Sequence, residues 1–344
     1  MVDSLAIRLN SKAGNVTSRL EEEIKKHFRD DLGISFYEEC SRDEIIQRKP
    51  QIIALGGGDG TVKYETNKLI QILKSPDYFN QQTFALLKMG TGNGLSYVVK
   101  ATKKHIKQLE AILNCEFDNL PLVEISLIEI KHKDQSGKTV KNYSPFTGVG
   151  WDAIILSWYN QFKKSGFRGL AGYLAAVAPA ATEVLTGKKP EFEITFPKGA
   201  KLVYEFGKKA NYFECSPGNN YRFAQESDVH SIVAGTSKYF GFNFIAFPHA
   251  EIARENKEMH LRAIAGNRYL TIMELINNAL PIWLGKYRSK NVYEIITPEV
   301  EINVSNGGIK MQASGEDLGQ PNNVTWKVSD YKLRLVDYSK MKIK

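Results

Sequence analysis

One short stretch of the chain combines residue types that bind phosphate with a carboxylate. The apolar run Ile52 to Leu55 is followed by Gly56-Gly57-Gly58-Asp59-Gly60-Thr61. Such a run is typical of a strand that is buried on both faces, as in a parallel sheet. The glycines leave backbone N–H groups open to a ligand, and a helix that starts there adds the positive end of its dipole. The pattern therefore predicts an anion site, with phosphate as the ligand.

Asp59 is the residue of this loop that could do chemistry. A carboxylate repels a neighbouring phosphate unless a metal ion or an acceptor hydroxyl lies between them, and phosphoryl transfer supplies both. Asp59 could accept the proton of a substrate hydroxyl or hold Mg²⁺ through water, and the sequence does not separate these roles. A plainer interpretation is a glycine-rich turn in which Asp59 caps a helix. We expect Thr61 to cap a helix over residues 62–73.

Two further loops of the same kind lie nearby in the chain. The apolar run Thr83–Lys88 leads into residues 89–94, Met-Gly-Thr-Gly-Asn-Gly, and the strand Leu5–Leu9 leads into residues 10–14, Asn-Ser-Lys-Ala-Gly. The carboxyl ends of parallel strands face one crevice, so we expect the loops to meet on one polyphosphate. Neither glycine loop has the Lys-Ser/Thr of a P-loop or the dinucleotide fingerprint, which argues against a GTPase and a dehydrogenase.

The pattern of apolar residues changes near residue 121. Before it, short strands alternate with helices, as in a parallel α/β domain, and Ser41 with Glu44 is typical of a helix start that Pro50 ends. From residue 122 most segments are predicted strands bounded by turns, with helices at 152–162, 170–185 and 269–280. The predicted strands include Asn243–Phe247 and, at the end of the chain, 324–328 and 333–337. We therefore expect an α/β domain followed by an antiparallel sandwich or barrel.

Composition narrows the classes of function. The 344 residues suffice for two domains, and the three cysteines (Cys40, Cys115 and Cys215) have no metal-type spacing, so we expect a reducing, cytoplasmic compartment. The amino terminus lacks the pattern of a secretory signal, and residues 169–185 are expected to form a core helix rather than a membrane-inserted one. The net charge of +8 could attract the protein to anionic lipid, whereas no basic run indicates nucleic-acid binding.

Together these motifs resemble the diacylglycerol kinase catalytic-domain family, which includes diacylglycerol, sphingosine, ceramide and bacterial lipid kinases. Five motifs occur in the order and spacing of that family: residues 10–14, 57–61, 90–93, 148–153 (Gly-Val-Gly-Trp-Asp-Ala) and Gly315-Glu316. Residues 234–236, 248–250 and 285–286 also look like family landmarks, so the resemblance covers nearly the whole chain.

The resemblance implies ATP-dependent phosphorylation of a lipid hydroxyl with Mg²⁺. It implies a Rossmann-like three-layer α/β domain of the NAD-kinase and lipid-kinase type over residues 1–121, to which strands at about 325–344 return, and a β-sandwich lipid domain over 122–324, with a cleft between them. The resemblance also implies a lipid substrate at a membrane surface and peripheral association of the protein with the membrane. A homodimer is compatible with the resemblance. The expected catalytic residues are Asp59 and Glu316. Asp59 is also the residue expected to bind Mg²⁺, through water. The expected ATP-binding residues are Asn10, Gly57, Gly58, Gly60, Thr61, Gly90, Thr91, Asn93 and Glu316.

Four departures from the family pattern indicate a divergent member. Ser314 stands where relatives usually have an aspartate that is a proposed base in bacterial members, so Asp59 or Asp317 could take that role. Lys63-Tyr64 replaces Asn-Glu, Gly94 replaces the acid of Gly-Asn-Asp, and Ser11 replaces a proline. Two alternatives therefore stay open: a phosphotransferase like the NAD kinases, and a pseudokinase that binds nucleotide or lipid without turnover. The sequence does not identify the substrate.

Overall fold

The chain forms two units in the computed structural model. The structure describes all residues except 1, 3, 12, 14–15, 29–32, 37–46, 135, 188–190, 204–211, 216–219, 222–228, 290, 306 and 344, and describes only the backbone of 212–215 and 220–221. The first unit consists of residues 1–125, 241–243 and 330–344, and the second of residues 126–240 and 244–329.

The elements of the chain are named in chain order. Those before residue 125 are β1 (Leu5–Leu9), α1 (Ser18–Phe28), β2 (Ile34–Phe36), β3 (Ile52–Gly57), α2 (Asp59–Leu73), α3 (Pro76–Gln81), β4 (Thr83–Lys88), α4 (Gly94–Val98), α5 (His105–Leu113) and β5 (Leu122–Lys133), which continues past it. The strands and helices that follow are β6 (Thr139–Ser144), β7 (Phe146–Gly150), α6 (Trp151–Lys164), α7 (Gly169–Thr186), β8 (Glu191–Thr195), β9 (Ala200–Val203), β10 (Tyr212–Cys215), β11 (Asn220–Tyr221), β12 (Val229–Gly235), β13 (Tyr239–Gly241), β14 (Phe244–Ile245), α8 (Ala250–Glu255), β15 (Met259–Ala265), α9 (Arg268–Asn277), α10 (Ala279–Trp283), β16 (Val292–Thr297), β17 (Glu299–Ser305), β18 (Met311–Ala313), β19 (Glu316–Asp317) and β20 (Asn323–Val336).

The first unit is built on a parallel sheet. Its strand order is β20-β4-β3-β1-β2, and Leu5 pairs with Ile52, which pairs in turn with Thr83. Every residue of β3 is buried, because apolar side chains on both faces of the sheet are covered. The last part of β20 pairs in parallel with the start of β4. The parallel α/β pattern predicted from the sequence is therefore confirmed.

Helix α2 begins three residues earlier than predicted. Gly58 is the N-cap, with an extended backbone, and Asp59 is the first helical residue. The prediction that Thr61 caps this helix is wrong, because the chain already turns into the helix directly after the glycines. The predicted helix start at Ser41 and Glu44, and Lys12 and Gly14 of the first motif, lie outside the described residues.

The second unit contains two antiparallel sheets with a common core. One has the order β10-β9-β16-β15-β12-β7-β18-β19; the other includes β11, β8, β17, the first part of β20, β5 and β6. Fully buried residues of both sheets share one hydrophobic cluster, for example Leu261 of β15 and Trp326 of β20. Two sheets that share a core in this way form a sandwich. The predicted fold class, α/β plus antiparallel β, is confirmed.

Several predicted boundaries in the second unit differ from the structure. The helix predicted over 269–280 is two helices, α9 and α10, which meet at Asn278. The strand predicted over Asn243–Phe247 is reduced to β14, and the helix α8 that follows was not predicted. The two strands predicted over 324–328 and 333–337 form one long strand, β20.

Candidate functional site

The glycine loops after β3 and β4 touch each other through their main chains. A Cβ atom on Gly90 would lie 2.1 Å from the Cα of Gly58, and one on Gly58 would lie 3.2 Å from the Cα of Gly90. Both contacts are with backbone atoms, which have little freedom to move aside. The two predicted phosphate loops therefore meet, and glycine is required where they do.

Asn10 of the first loop joins this region. Its Nδ2 donates a hydrogen bond to the Oγ1 of Thr61 over 2.8 Å, and its backbone N–H donates to the oxygen of Gly56 over 2.9 Å. The Thr61 hydroxyl is thus used to attach β1 to the start of α2. The structure brings together Asn10, Gly58, Thr61 and Gly90, as the sequence predicted for the loops of three neighbouring strands.

Asn93 shapes the second loop. It has a φ of 55°, and its Oδ1 accepts a hydrogen bond of 2.9 Å from the N–H of Gly90, while its Nδ2 donates to the oxygen of the same residue. Asparagine tolerates this left-handed conformation better than most residues. Its amide therefore closes the turn that brings Gly90 against Gly58. Thr91 in the same turn is half-buried.

Asp59 lies between the two loops, and its carboxylate is held by main-chain donors. The N–H of Gly94 donates to Oδ2 over 2.7 Å and that of Leu95 donates to Oδ1 over 3.0 Å. A Cβ atom on Gly92 would lie 3.7 Å from Oδ2. Asp59 thus caps α4 from across the loops, as the plainer interpretation of a capping residue proposed. In the first turn of α2 the N–H of Thr61 donates a hydrogen bond to the oxygen of Gly58 over 2.9 Å.

Burial raises the pKa of Asp59 to about 6, although the N–H groups of Leu95 and Gly94 lower it. At neutral pH the carboxylate is mostly ionised. Its pKa is close to the working pH, where a general base is most effective. The described residues contain no group of three His, Cys, Asp or Glu side chains that could hold a metal ion. Mg²⁺ commonly binds through one or two carboxylates, water and substrate phosphates. Asp59 with its surrounding amides fits that kind of site.

Glu316 lies in the second unit, at a hairpin between β18 and β19. Ala313 pairs with Glu316, and the turn consists of Ser314 and Gly315, which have φ values of 49° and 80°. Glu316 and Asp317 are exposed, whereas Ser314 is buried. The Oγ of Ser314 lies 2.8 Å from the Oγ of Ser144, so this hydroxyl points into the protein.

Asp152 is a residue that the sequence analysis included in a motif but gave no role. Its Oδ2 accepts a hydrogen bond of 2.9 Å from Nε2 of Gln312, and its Oδ1 lies 3.3 Å from the Oγ of Ser231. The Oε1 of Gln312 accepts from the N–H of Gly315 over 3.0 Å. A chain of hydrogen bonds therefore leads from Asp152 to the turn before Glu316. Burial raises the pKa of Asp152 to about 7.

A sequence signal for Asp152 does exist. Like Asp59, it follows a buried strand that ends in glycine and lies in the first turn of a helix. Its partners Gln312 and Ser231 are distant in the chain, and no spacing rule connects them to it.

Comparison with known proteins supports the fold of the chain and, over residues 7–125, the resemblance to the family. Residues 7–125, which include both glycine loops, match the diacylglycerol kinase catalytic domain. Three solved structures of proteins assigned as diacylglycerol kinases from Bacillus anthracis str. Sterne are similar in fold, with TM-scores of 0.54, 0.53 and 0.51. Each is 14% identical, and the alignment covers 97% of both chains. No curated protein matches in sequence. The resemblance to this family is confirmed over residues 7–125.

Proposed function

Because residues 7–125 match the diacylglycerol kinase catalytic domain, we propose that this protein is an ATP-dependent lipid kinase. It transfers the γ-phosphate of ATP to the hydroxyl of a lipid such as a diacylglycerol, a sphingoid base or a ceramide. The observation that carries the proposal is the position of Asp59, buried between two glycine loops whose backbones touch. A carboxylate in this place suits phosphoryl transfer, and the N–H groups of Gly94 and Leu95 offset the cost of its burial.

Asp59 and the residues around it have different roles in the proposed reaction. N–H groups of the glycine loops bind the phosphates of ATP at the positive end of α2. Mg²⁺, when bound, neutralises negative charge on those phosphates, and Asp59 would hold it through water. With its pKa near 6, the same carboxylate can accept the proton of the lipid hydroxyl. Phosphoryl transfer demands positioning more than base strength, so a modest base suffices.

Ser314 supports assigning the base to Asp59. A serine hydroxyl is not a base near neutral pH, and this one is engaged with Ser144 inside the second unit. Asp317 is exposed, and its Oδ1 accepts a hydrogen bond of 2.8 Å from the N–H of Gly319. Glu316 is exposed, and the backbone at its turn is fixed through Gln312, so it stays our second candidate for a residue that contacts ATP.

The protein acts, on this proposal, from the cytoplasm at a membrane surface, where its lipid substrate resides. The formal charge of +8 supports adsorption to anionic lipid. A pseudokinase is the second candidate function, and the burial of Ser314 is the observation that favours it. The family match favours a lipid over NAD as the acceptor.

The test is transfer of labelled γ-phosphate from ATP to a panel of diacylglycerol, monoacylglycerol, ceramide, sphingoid base and NAD. We expect a labelled lipid with the wild type and at least about a hundredfold less with Asp59→Asn, because general-base and charge effects are of that size. Asp77→Asn is the matched control, since Asp77 is an exposed acid of α3 in the same unit. Chelation of Mg²⁺ should abolish labelling.

Two outcomes contradict the proposal. Detection of labelled NAD would show that NAD, and not a lipid, is the acceptor. ATP binding with no labelled product would establish a pseudokinase.

A further inference from the structure

Helix α7 exposes apolar side chains along its outer side. It is 18 residues long, and its buried residues are only Gly172, Ala176, Ala180 and Ala181. Leu174 is 53% exposed, and Leu170 and Leu185 are exposed as well. Among the described residues it is the helix whose length and composition would allow it to cross a membrane. The expectation of a core helix therefore holds for one side of α7 only.

The neighbouring helix α9 has a similar outer side. Leu270 is 63% exposed, and Tyr269, Met273 and Ile276 are also exposed. Scattered exposed apolar residues are normal, but adjacent helices that both expose several large ones mark an interaction surface. We name the exposed apolar side chains of α7 and α9, together with Phe167 before α7, the apolar helical face.

The inner sides of these helices are firmly packed. Ala180 and Ala181 of α7 share a hydrophobic cluster with Trp151 of α6 and Ile272 of α9. The Nη1 of Arg268 donates to the carbonyl oxygens of Val184 and Gly187, over 2.9 and 3.0 Å, and so ties α9 to the end of α7. The face is therefore presented by an ordered scaffold, and α7 cannot cross a bilayer without leaving its core.

The charges near the face are mostly positive. Lys163, Lys164 and Arg168 are exposed beside Phe167, which is itself 63% exposed. The acids of the same helices are engaged elsewhere: Glu183 accepts hydrogen bonds from Trp158 and Lys310.

The remaining acids are similar. Asp152 is buried, and Glu274 accepts a hydrogen bond from Asn291. An apolar side with cations at its margin and its acids turned away or engaged is complementary to an anionic bilayer surface.

We propose that the apolar helical face docks on the surface of a bilayer that contains anionic lipid. Helix α7 lies in the plane of the interface, with Leu170 and Leu174 among the acyl chains and Lys163, Lys164 and Arg168 at the headgroups. This inference deepens the proposed function, because it names the surface through which the kinase reaches a lipid. A second copy of the chain is the competing occupant, but the cations would then have no acidic partner on the same face.

The experiment is co-sedimentation of the full chain with vesicles of phosphatidylcholine, with and without phosphatidylglycerol. We expect binding to the anionic vesicles at low salt and release at high salt. Leu170→Gln with Leu174→Gln should lower the partition coefficient at least about tenfold, since each leucine loses its burial in the acyl region. Changing Lys163, Lys164 and Arg168 to Gln should lower it about a hundredfold at low salt.

Ile252→Gln is the matched control, because Ile252 is an exposed apolar residue of the same unit on α8, a helix that does not belong to this face as defined. It should bind vesicles like the wild type. Circular dichroism melts verify that all variants are folded. The proposal is overturned if the wild-type protein does not bind anionic vesicles, or if the leucine variant binds them as strongly as the wild type. It is also overturned if the leucine variant converts a dimer into a monomer with vesicle binding unchanged.

Binding requires neither ATP nor turnover, so this test is separate from that of the kinase activity. Asp59→Asn should bind vesicles like the wild type. The leucine variant should lose turnover on lipid in vesicles and keep it on a short-chain, water-soluble lipid. Vesicle binding through this face by a protein that phosphorylates no lipid would refute the proposed function and leave the docking surface standing.

Discussion

Asp59 in the first unit and Asp152 in the second are held in contrasting ways. Each follows a buried strand that ends in glycine, each lies in the first turn of a helix, and burial raises the pKa of each. The carboxylate of Asp59 is fixed by the backbone N–H groups of Gly94 and Leu95. That of Asp152 accepts from the side chains of Gln312 and Ser231 as well as from the backbone N–H of Ala153.

The difference bears on how each site can be altered. Backbone donors persist whatever side chain their residue carries, so only a shift of the main chain can move Asp59. Side-chain donors vanish with one substitution, so part of the support of Asp152 depends on the two particular residues Gln312 and Ser231. Glu294 shows a third arrangement: burial alone would raise its pKa, but Arg262 at 2.6 Å and His260 drive it far below the ordinary value. Of these buried carboxylates, Asp59 and Asp152 have pKa values near neutrality, where a proton can be exchanged.

The largest effect is expected when the glycine loops are forced apart. In Gly90→Ala the new methyl group would overlap the Cα of Gly58, so the main chain must move. We expect kinase activity to fall about a hundredfold, because displacement of about 1 Å at a reacting centre has that cost.

Gly148→Ala provides the counterpart in the second unit. Its methyl group would meet Oδ2 of Asp152 at 2.2 Å, and a side-chain end can rotate away. Its activity should fall less than that of Gly90→Ala. Equal losses in the two variants would contradict the distinction between main-chain and side-chain support.

The free energy of unfolding should depend on pH differently in the wild type and in Asp152→Asn. Because burial raises the pKa of Asp152 from 3.8 to about 7, folding favours the protonated form. This stabilisation is complete below pH 3.8 and is lost as the pH rises through about 7. Asparagine can place its oxygen toward Gln312 and its nitrogen toward Ser231, as the protonated acid would. Asp152→Asn should therefore exceed the wild type at pH 8 by about 2 to 4 kcal/mol in free energy of unfolding and equal it near pH 4.

Urea unfolding of both proteins at these two pH values is the measurement. The contribution of Asp59 has the same sign and is common to both proteins, so it cancels in their difference. Asp317→Asn, at an exposed acid, is the control for the loss of one carboxylate. A constant difference between Asp152→Asn and the wild type at both pH values would falsify the assignment.

Gln312→Leu should be destabilising by about 1 to 3 kcal/mol. It removes the donor to Asp152 and the acceptor for the N–H of Gly315, and both partners are then left without the amide. Urea unfolding measures the loss, and Gln320→Leu, at an exposed glutamine, is the control. If Gln312→Leu unfolds at the urea concentration of the wild type, side-chain support of this turn is not needed.

The smallest effect is expected at Thr61→Val, about 1 kcal/mol of unfolding free energy. The variant keeps the shape of the side chain and removes the acceptor for Nδ2 of Asn10. Asn10→Ala removes the donor instead, and the two changes together should cost less than the sum of each alone. Strict additivity would show that this hydrogen bond contributes nothing.

Much of the first unit could be predicted from the sequence because its signals are local. The strands Leu5–Leu9 and Thr83–Lys88 have the predicted bounds, since continuous apolar runs between turn residues specify buried parallel strands. The loops could be placed together because parallel strands end at one edge of a sheet. The role of Thr61 could not be predicted, because the partner of its hydroxyl is 51 residues away.

The second unit was less predictable, because antiparallel pairing joins distant segments. Met311 of β18 pairs with Val149 of β7, and the contact between Asp152 and Gln312 depends on that pairing. No periodicity reveals such a partner. Local propensity also failed at residues 243–247, where the apolar aromatic run predicted a strand and the chain forms only the short β14.

The first unit has a consequence for anyone who wishes to express it alone. The segment that matches the family, 7–125, is shorter than the unit that folds, which also takes in 241–243 and 330–344. Without the carboxyl-terminal strand, β4 would become a bare edge, and the carbonyl of Gly92 would lose the N–H of Phe242 at 2.7 Å. An apolar strand with an open edge recruits other chains, so a fragment cut at residue 125 should form aggregates rather than a soluble nucleotide-binding piece.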